Sequence, residues 1–161
     1  MKRLNLLTAL FFLTSTTLLA QERIATADFT KIEIKDAFNV VLVPSDKCEI
    51  VLPESLKDKN VFTVYNSSRT LVISLPECYQ ENYSSESQKE EIFVYFKSLE
   101  ALKLSGTARV RSEETIEKDL FRIILLDASS ANLDIAANII ASKVRGTSTL
   151  SLTGPAESRI F

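Results

Sequence analysis

Asp127, Asp134 and Glu113, together with Arg109, Arg111 and Arg145, are the residues whose types could do chemistry in this chain. Two carboxylates flanking a sugar linkage, with an arginine to hold a nearby charge, are what acid–base cleavage of a polysaccharide requires. Such a pair, Asp127 with Asp134, would make the chain a polysaccharide-active enzyme. Other chemistry is poorly supplied, because the sequence contains no His and no Trp. It therefore lacks the commonest general base and metal ligand, and the strongest platform for stacking a sugar ring. Charges on strand surfaces are solvated by default. The phrases on either side of Asp127 carry Ser105 and Arg145 at its place, so no ladder of like charges forms. The expectation is a non-catalytic chain with no catalytic, metal-binding or cofactor-binding residues and no cofactor, with the enzyme as the alternative.

Cys48 and Cys78 are the two cysteines. Bridged in an oxidising compartment, they would close a long loop and stabilise the fold by about 3 to 4 kcal/mol. Unbridged, they would be two buried thiols acting as small hydrophobes. Spacing alone does not decide between the two, since a bridge needs facing Cβ atoms.

The compartment is indicated by the first twenty residues. Met1-Lys2-Arg3 is a positive start, Leu4 to Leu19 an apolar run interrupted by Asn5 and several Thr, and Ala20 stands before Gln21. This is the pattern of a secretory signal peptide over 1–20, cleaved near Ala20, and it falls short of the roughly 20 strongly apolar residues of a spanning helix. The mature chain, 21–161, is then exported to the periplasm, cell surface or medium with no transmembrane segment, and its length suits a single domain. A net charge of −2 with Lys, Arg, Asp and Glu interspersed gives no basic stripe for a nucleic acid backbone.

The elements that would position these residues are strands. Phe29 to Lys35 and Phe38 to Val43 alternate apolar with polar, Pro44-Ser45-Asp46 is turn chemistry, and Cys48 to Leu52 makes a further strand. Val61 to Tyr65 and Thr70 to Leu75 flank Asn66-Ser67-Ser68-Arg69, which reads as a hairpin. Tyr79 to Glu91 is polar apart from its two tyrosines and reads as a solvated loop. Ile92 to Phe96 is a dense apolar strand.

From Leu102 onward a phrase returns: Leu104-Ser105-Gly106-Thr107-Ala108, Leu126-Asp127-Ala128-Ser129-Ser130 and Val144-Arg145-Gly146-Thr147-Ser148. Strands and turns recurring at roughly 20 residues, without a helical period, predict stacked solenoid rungs. Leu104, Leu126 and Val144 are the expected inward anchors, and Gly106, Ala128 and Gly146 the structural corners, where closely stacked layers leave room only for small groups. The fold class expected is all-β, a right-handed parallel β-helix, or solenoid, over 98–161, preceded by an irregular, partly antiparallel β region over 29–97.

These phrases, with Ile32-Glu-Ile-Lys-Asp-Ala-Phe38-Asn-Val-Val-Leu42, resemble the putative auto-transporter adhesin, head GIN domain family. The resemblance covers nearly all of the mature chain and implies a secreted or surface β-helix protein whose activity is undefined; it carries over no catalytic residues. Against the family pattern, Asp127-Ala128 replaces Ser-Gly, and the chain stops at Phe161 as another strand begins, as in a truncated member or one whose last strand caps the coil. An open last rung would offer unpaired backbone groups for self-association through the C-terminal end. The function expected is that of an exported, adhesin-like binding module for a surface ligand, glycan or protein. Its binding residues belong among the outward side chains Lys103, Arg109, Lys143 and Arg145, or in the Tyr79–Glu91 loop.

Overall fold

The computed structural model describes residues 23–58, 60–77 and 90–160. The leader and Cys78 lie outside them, as does most of the loop that begins at Tyr79. The alternating runs become short strands: β1 (Arg23–Ala25), β2 (Lys31–Ile34), β3 (Asn39–Pro44) and β4 (Glu49–Val51), then a single 3-10 turn at Glu54–Leu56. The hairpin of β5 (Phe62–Tyr65) and β6 (Thr70–Ile73) follows, with Tyr65 opposite Thr70. Next come β7 (Glu91–Phe96), β8 (Ala101–Leu104), β9 (Arg109–Ser112), β10 (Ile116–Leu125), β11 (Ser130–Val144), β12 (Thr149–Thr153) and β13 (Ala156–Ile160).

The pairing corrects the expectation of a right-handed parallel β-helix. The strands form one curled, mixed sheet, a half-barrel rather than a solenoid of stacked repeats, in the order β1-β4-β7-β3-β9-β11-β10-β8-β2-β6-β5, with β12 and β13 both paired to β11. Antiparallel pairs lie at both ends of this path, β1 with β4 and β4 with β7 at one, β5 with β6 at the other. The order is also not that of the chain. β2 lies between β6 and β8, and β3 between β7 and β9. Hairpin returns thus fill places that a regular coil would give to successive rungs. Alternation specifies that a segment is a strand and which face is apolar, but it does not name the neighbour.

Parallel pairing does join β8, β10 and β11, and its register corrects the inward anchors. Leu125, not Leu126, lies beside Leu104 on one side and Val144 on the other. Ile123 and Leu125 are buried and Ile124 and Leu126 only partly so. A register slip of one residue exchanges the two faces of a strand, and the Leu125-Leu126 doublet offers an apolar residue in either register.

The inward rows build one core. Ile32 and Ile34 lie beside Leu71 and Ile73 on one side and Leu102 and Leu104 on the other. In the other half of the sheet, Val40 and Leu42 lie beside Ile92 and Val94. All of these are buried in a single cluster that includes Phe29, Phe38 and Phe121. Each such Leu, Ile or Val contributes roughly 1.5 to 3 kcal/mol relative to exposure. The long strand β11 runs through both halves of the curl, pairing with β9 and β12 in one and with β10 and β13 in the other, and holds them together.

Candidate functional site

Where the chain passes from one half of the sheet to the other, it turns through a column of four residues with positive φ: Asp36 (66°), Gly106 (71°), Asp127 (64°) and Gly146 (74°). Backbone bonds connect successive members, with the N–H groups of Thr107, Ala128 and Thr147 donating to the carbonyls of Asp36, Gly106 and Asp127 at 3.1, 3.0 and 2.7 Å. The left-handed region is open to Gly and tolerated by Asp. Glycine is needed at alternate layers for a second reason: a Cβ on Gly106 would lie 3.0 Å from the Asp36 carbonyl oxygen, and one on Gly146 2.3 Å from that of Asp127. At the third corner, where Ala128 was expected to make the turn, the positive φ falls on Asp127. Ala128 follows it, in the place that Thr107 and Thr147 hold at theirs. Behind the column the small residues Ala108, Ser129 and Ser148 stack. Ser129 and Ser148 each donate a hydroxyl to a carbonyl three residues back, those of Leu126 and Arg145, at 2.8 and 2.9 Å.

The carboxylates singled out in the sequence are not arranged as a pair. Asp127 Oδ2 accepts the backbone N–H of Gly106 at 2.9 Å. Asp134 lies four residues into β11, a strand run of roughly 13 Å from its start, so the two exceed the ~5 to 9.5 Å that separates the carboxyl groups of a glycoside hydrolase. Asp134 Oδ2 accepts the Thr115 hydroxyl at 2.8 Å, and its Oδ1 is buried without a hydrogen-bond partner. Arg111 donates to both carboxylate oxygens of Glu91, from Nε and Nη2 on one edge of its guanidinium, at 3.1 Å each, and this pairing raises the arginine's pKa above its ordinary value. Cys48 is buried beside Asp28 and has no disulfide partner among the described residues, with Cys78 outside them. Glu113 and Arg109 are exposed, and Arg109 has Asn39 and Ser130 as its strand neighbours. Among the described residues no cluster of His, Cys, Asp or Glu could hold a metal, and no helix is long and apolar enough to cross a membrane.

What the fold does bring together is cations. On the outward face of the half built from β6, β2, β8, β10 and β11, the register sets Lys31, Ala101, Arg122 and Ala141 in one row and Glu33, Lys103, Ile124 and Lys143 in the next. Lys35 and Arg145 extend their own strands on the same side. Among the described residues this face therefore carries Lys31, Lys35, Lys103, Arg122, Lys143 and Arg145 against the single carboxylate of Glu33, in a chain whose net charge is −2. Glu33 Oε1 lies 2.8 Å from Lys103 Nζ and 3.8 Å from Lys35 Nζ. Lys103, Lys143 and Arg145 were expected to face outward; Lys31, Lys35 and Arg122 join them only through strand register, and the one signal for them in the sequence is their polar place in an alternating run. The first row continues away from Lys31 to Thr70 and then Tyr65, which is 54% exposed.

A family model described as "Putative auto-transporter adhesin, head GIN domain" matches residues 28–159. Among solved structures, a putative adhesin from Bacteroides fragilis is similar over 86% of this chain and 63% of its own, with a TM-score of 0.66 and 16% identity. A putative adhesin from Parabacteroides merdae is similar over 81% of this chain and 54% of its own, with a TM-score of 0.65 and 15% identity. A putative lipid binding protein from Parabacteroides distasonis has a TM-score of 0.53 and 12% identity, over 84% and 66% of the two chains. The chain thus spans about half to two thirds of the length of these proteins. At such identities the likeness is one of fold. No curated protein matches the sequence.

Proposed function

This chain belongs to the putative auto-transporter adhesin, head GIN domain family, and from that premise we propose that it is an exported, non-catalytic, adhesin-like module that binds a surface ligand through the outward face of its sheet. The observation that carries this reading is the excess of cations on one face of a chain that is acidic overall. A sheet face presents side chains at fixed spacings set by the hydrogen-bonded backbone, so little ordering is required on binding. Clustered charge of one sign also raises the encounter rate with an oppositely charged partner. Two of the carboxylates serve the structure: Asp127 holds a corner and Glu33 braces two lysines. Export through a leader ending near Ala20 is part of the same proposal.

The test is attachment. Purified exported protein should begin near Gln21 and adhere to a surface coated with the ligand-bearing cell envelope or matrix, with adhesion falling as salt rises. Adhesion that is indifferent to Arg122→Glu and Lys143→Glu, or a retained Met1, would count against it. The enzyme alternative predicts depolymerisation of a glycan that is lost on Asp127→Asn.

A further inference from the structure

We infer that the cationic face takes a linear, acidic polysaccharide laid across the strands, an inference that rests on the binding role proposed above. Successive strands carry one cation each, alternately in the two rows: Lys31 on β2, Lys103 on β8, Arg122 on β10 and Lys143 on β11. Charges in the same row are two strands apart, about 9.6 Å. The cations therefore zigzag across the strands, complementary to an extended polymer whose acidic groups project alternately to its two sides. In the first row Ala101 lies between Lys31 and Arg122 and Ala141 lies beyond Arg122, and these small side chains leave a lane for the chain. Glu33 holds Lys103 and approaches Lys35, so part of the array is fixed before a ligand arrives.

The same row supplies a sugar platform. Tyr65 lies beyond Thr70 at the end of the row that carries Lys31 and Arg122, and the residue is more than half exposed. An exposed aromatic ring in line with cations suits a carbohydrate that is both ring-shaped and acidic. A membrane surface is less well matched. The exposed large apolar residues among those described, Tyr65, Ile139 and Val144, are dispersed, while Ile124 and Leu126 on this face are half-buried.

The experiment measures affinity of the full chain for polygalacturonate, with polyaspartate and phosphatidylglycerol vesicles as comparators. Polygalacturonate is expected to bind most tightly, with affinity falling as salt rises. Arg122→Glu should weaken it roughly fivefold and Lys31→Glu with Arg122→Glu at least about tenfold. Lys47→Glu, an exposed cation in the turn after β3 and off this face, makes the same charge change as Arg122→Glu and should alter affinity less than about twofold. Tyr65→Ala should weaken polygalacturonate and leave polyaspartate unchanged. Equal losses in Lys47→Glu and Arg122→Glu, binding of polyaspartate as tight as that of polygalacturonate, preference for the vesicles, or no binding to polygalacturonate would each overturn the inference. Attachment separates the two levels. Adhesion that depends on Arg122 without polygalacturonate binding defeats this inference alone, whereas polygalacturonate binding without adhesion defeats the adhesin reading.

Discussion

The Asp127 carboxylate accepts the backbone N–H of Gly106 at 2.9 Å, reaching from its own corner to the one in the neighbouring layer. Asp36, two layers away in the same column, does the same for the N–H of Leu75, also at 2.9 Å. Each aspartate thus provides a left-handed turn and a hydrogen-bond acceptor, and each intervening glycine provides the turn alone. The column is a structural device, and its two functions can be separated by substitution.

Asp127→Gly keeps the positive φ and removes the acceptor. Its expected cost is about 1 kcal/mol. Asp127→Ala removes both and should cost about 1 to 2 kcal/mol more, because Cβ disfavours the left-handed conformation. Urea denaturation should therefore rank wild type above Asp127→Gly above Asp127→Ala. An alanine variant as stable as the glycine variant would contradict the corner geometry.

Gly146→Ala should be the harsher of the two glycine substitutions. Its Cβ would sit 2.3 Å from the Asp127 carbonyl oxygen, against 3.0 Å to the Asp36 carbonyl oxygen for Gly106→Ala. Both variants bear the left-handed cost of about 1 to 2 kcal/mol, and the closer clash adds to it at 146. Thermal melts of the two variants should differ in that order.

Leu125 and Leu126 test the register. Leu125 is fully buried and Leu126 partly buried. Leu125→Ala is expected to cost about 2 to 5 kcal/mol, and Leu126→Ala less than half as much. Equal losses would show that the strand does not hold the observed register.

The pair formed by Lys97 Nζ and Asp28, with oxygen distances of 2.9 and 3.0 Å, gives stability a dependence on pH at both extremes. The hydrogen bond from Lys97 holds the Asp28 carboxyl below its ordinary value, and the same bond raises Lys97. A lowered carboxyl stabilises the fold above its unfolded pKa of about 3.9 and loses that contribution as pH falls through the folded value. A raised lysine contributes fully below its unfolded pKa of about 10.4 and loses its contribution as pH rises through the folded value. Asp28→Asn should therefore melt slightly below wild type at pH 7, and the difference should close at both acidic and strongly alkaline pH. A difference that persists unchanged in acid would rule out this pair as its source.

Strand identity was largely legible in the sequence because alternation reports directly on burial: Ile32, Ile34, Val40 and Leu42 are inward as their spacing predicts. Partnership was not. The sheet order depends on hairpins and on strand contacts between distant parts of the chain, and no local pattern encodes that β2 lies between β6 and β8. The corner at Asp127 was obscured for another reason. Composition suggested that the small residue Ala128 occupies the turn, whereas the backbone angle selects the residue before it. The cationic face was half visible, in Lys103, Lys143 and Arg145. Assembling it with Lys31, Lys35 and Arg122 needed the register, since these residues come from four separate strands.

The placement of β2 and β3 in the interior of the sheet also sets an order of events. Lys31 is hydrogen-bond neighbour to strands containing Thr70 and Ala101, and Asn39 to strands containing Glu91 and Arg109. A chain emerging with its N-terminus first would present these strands long before their partners exist. Loop closure over such separations is slow, and unpaired apolar strands invite aggregation in the meantime. The early part of this polypeptide must wait for its later part, so its folding is committed only once β8 and β9 have arrived.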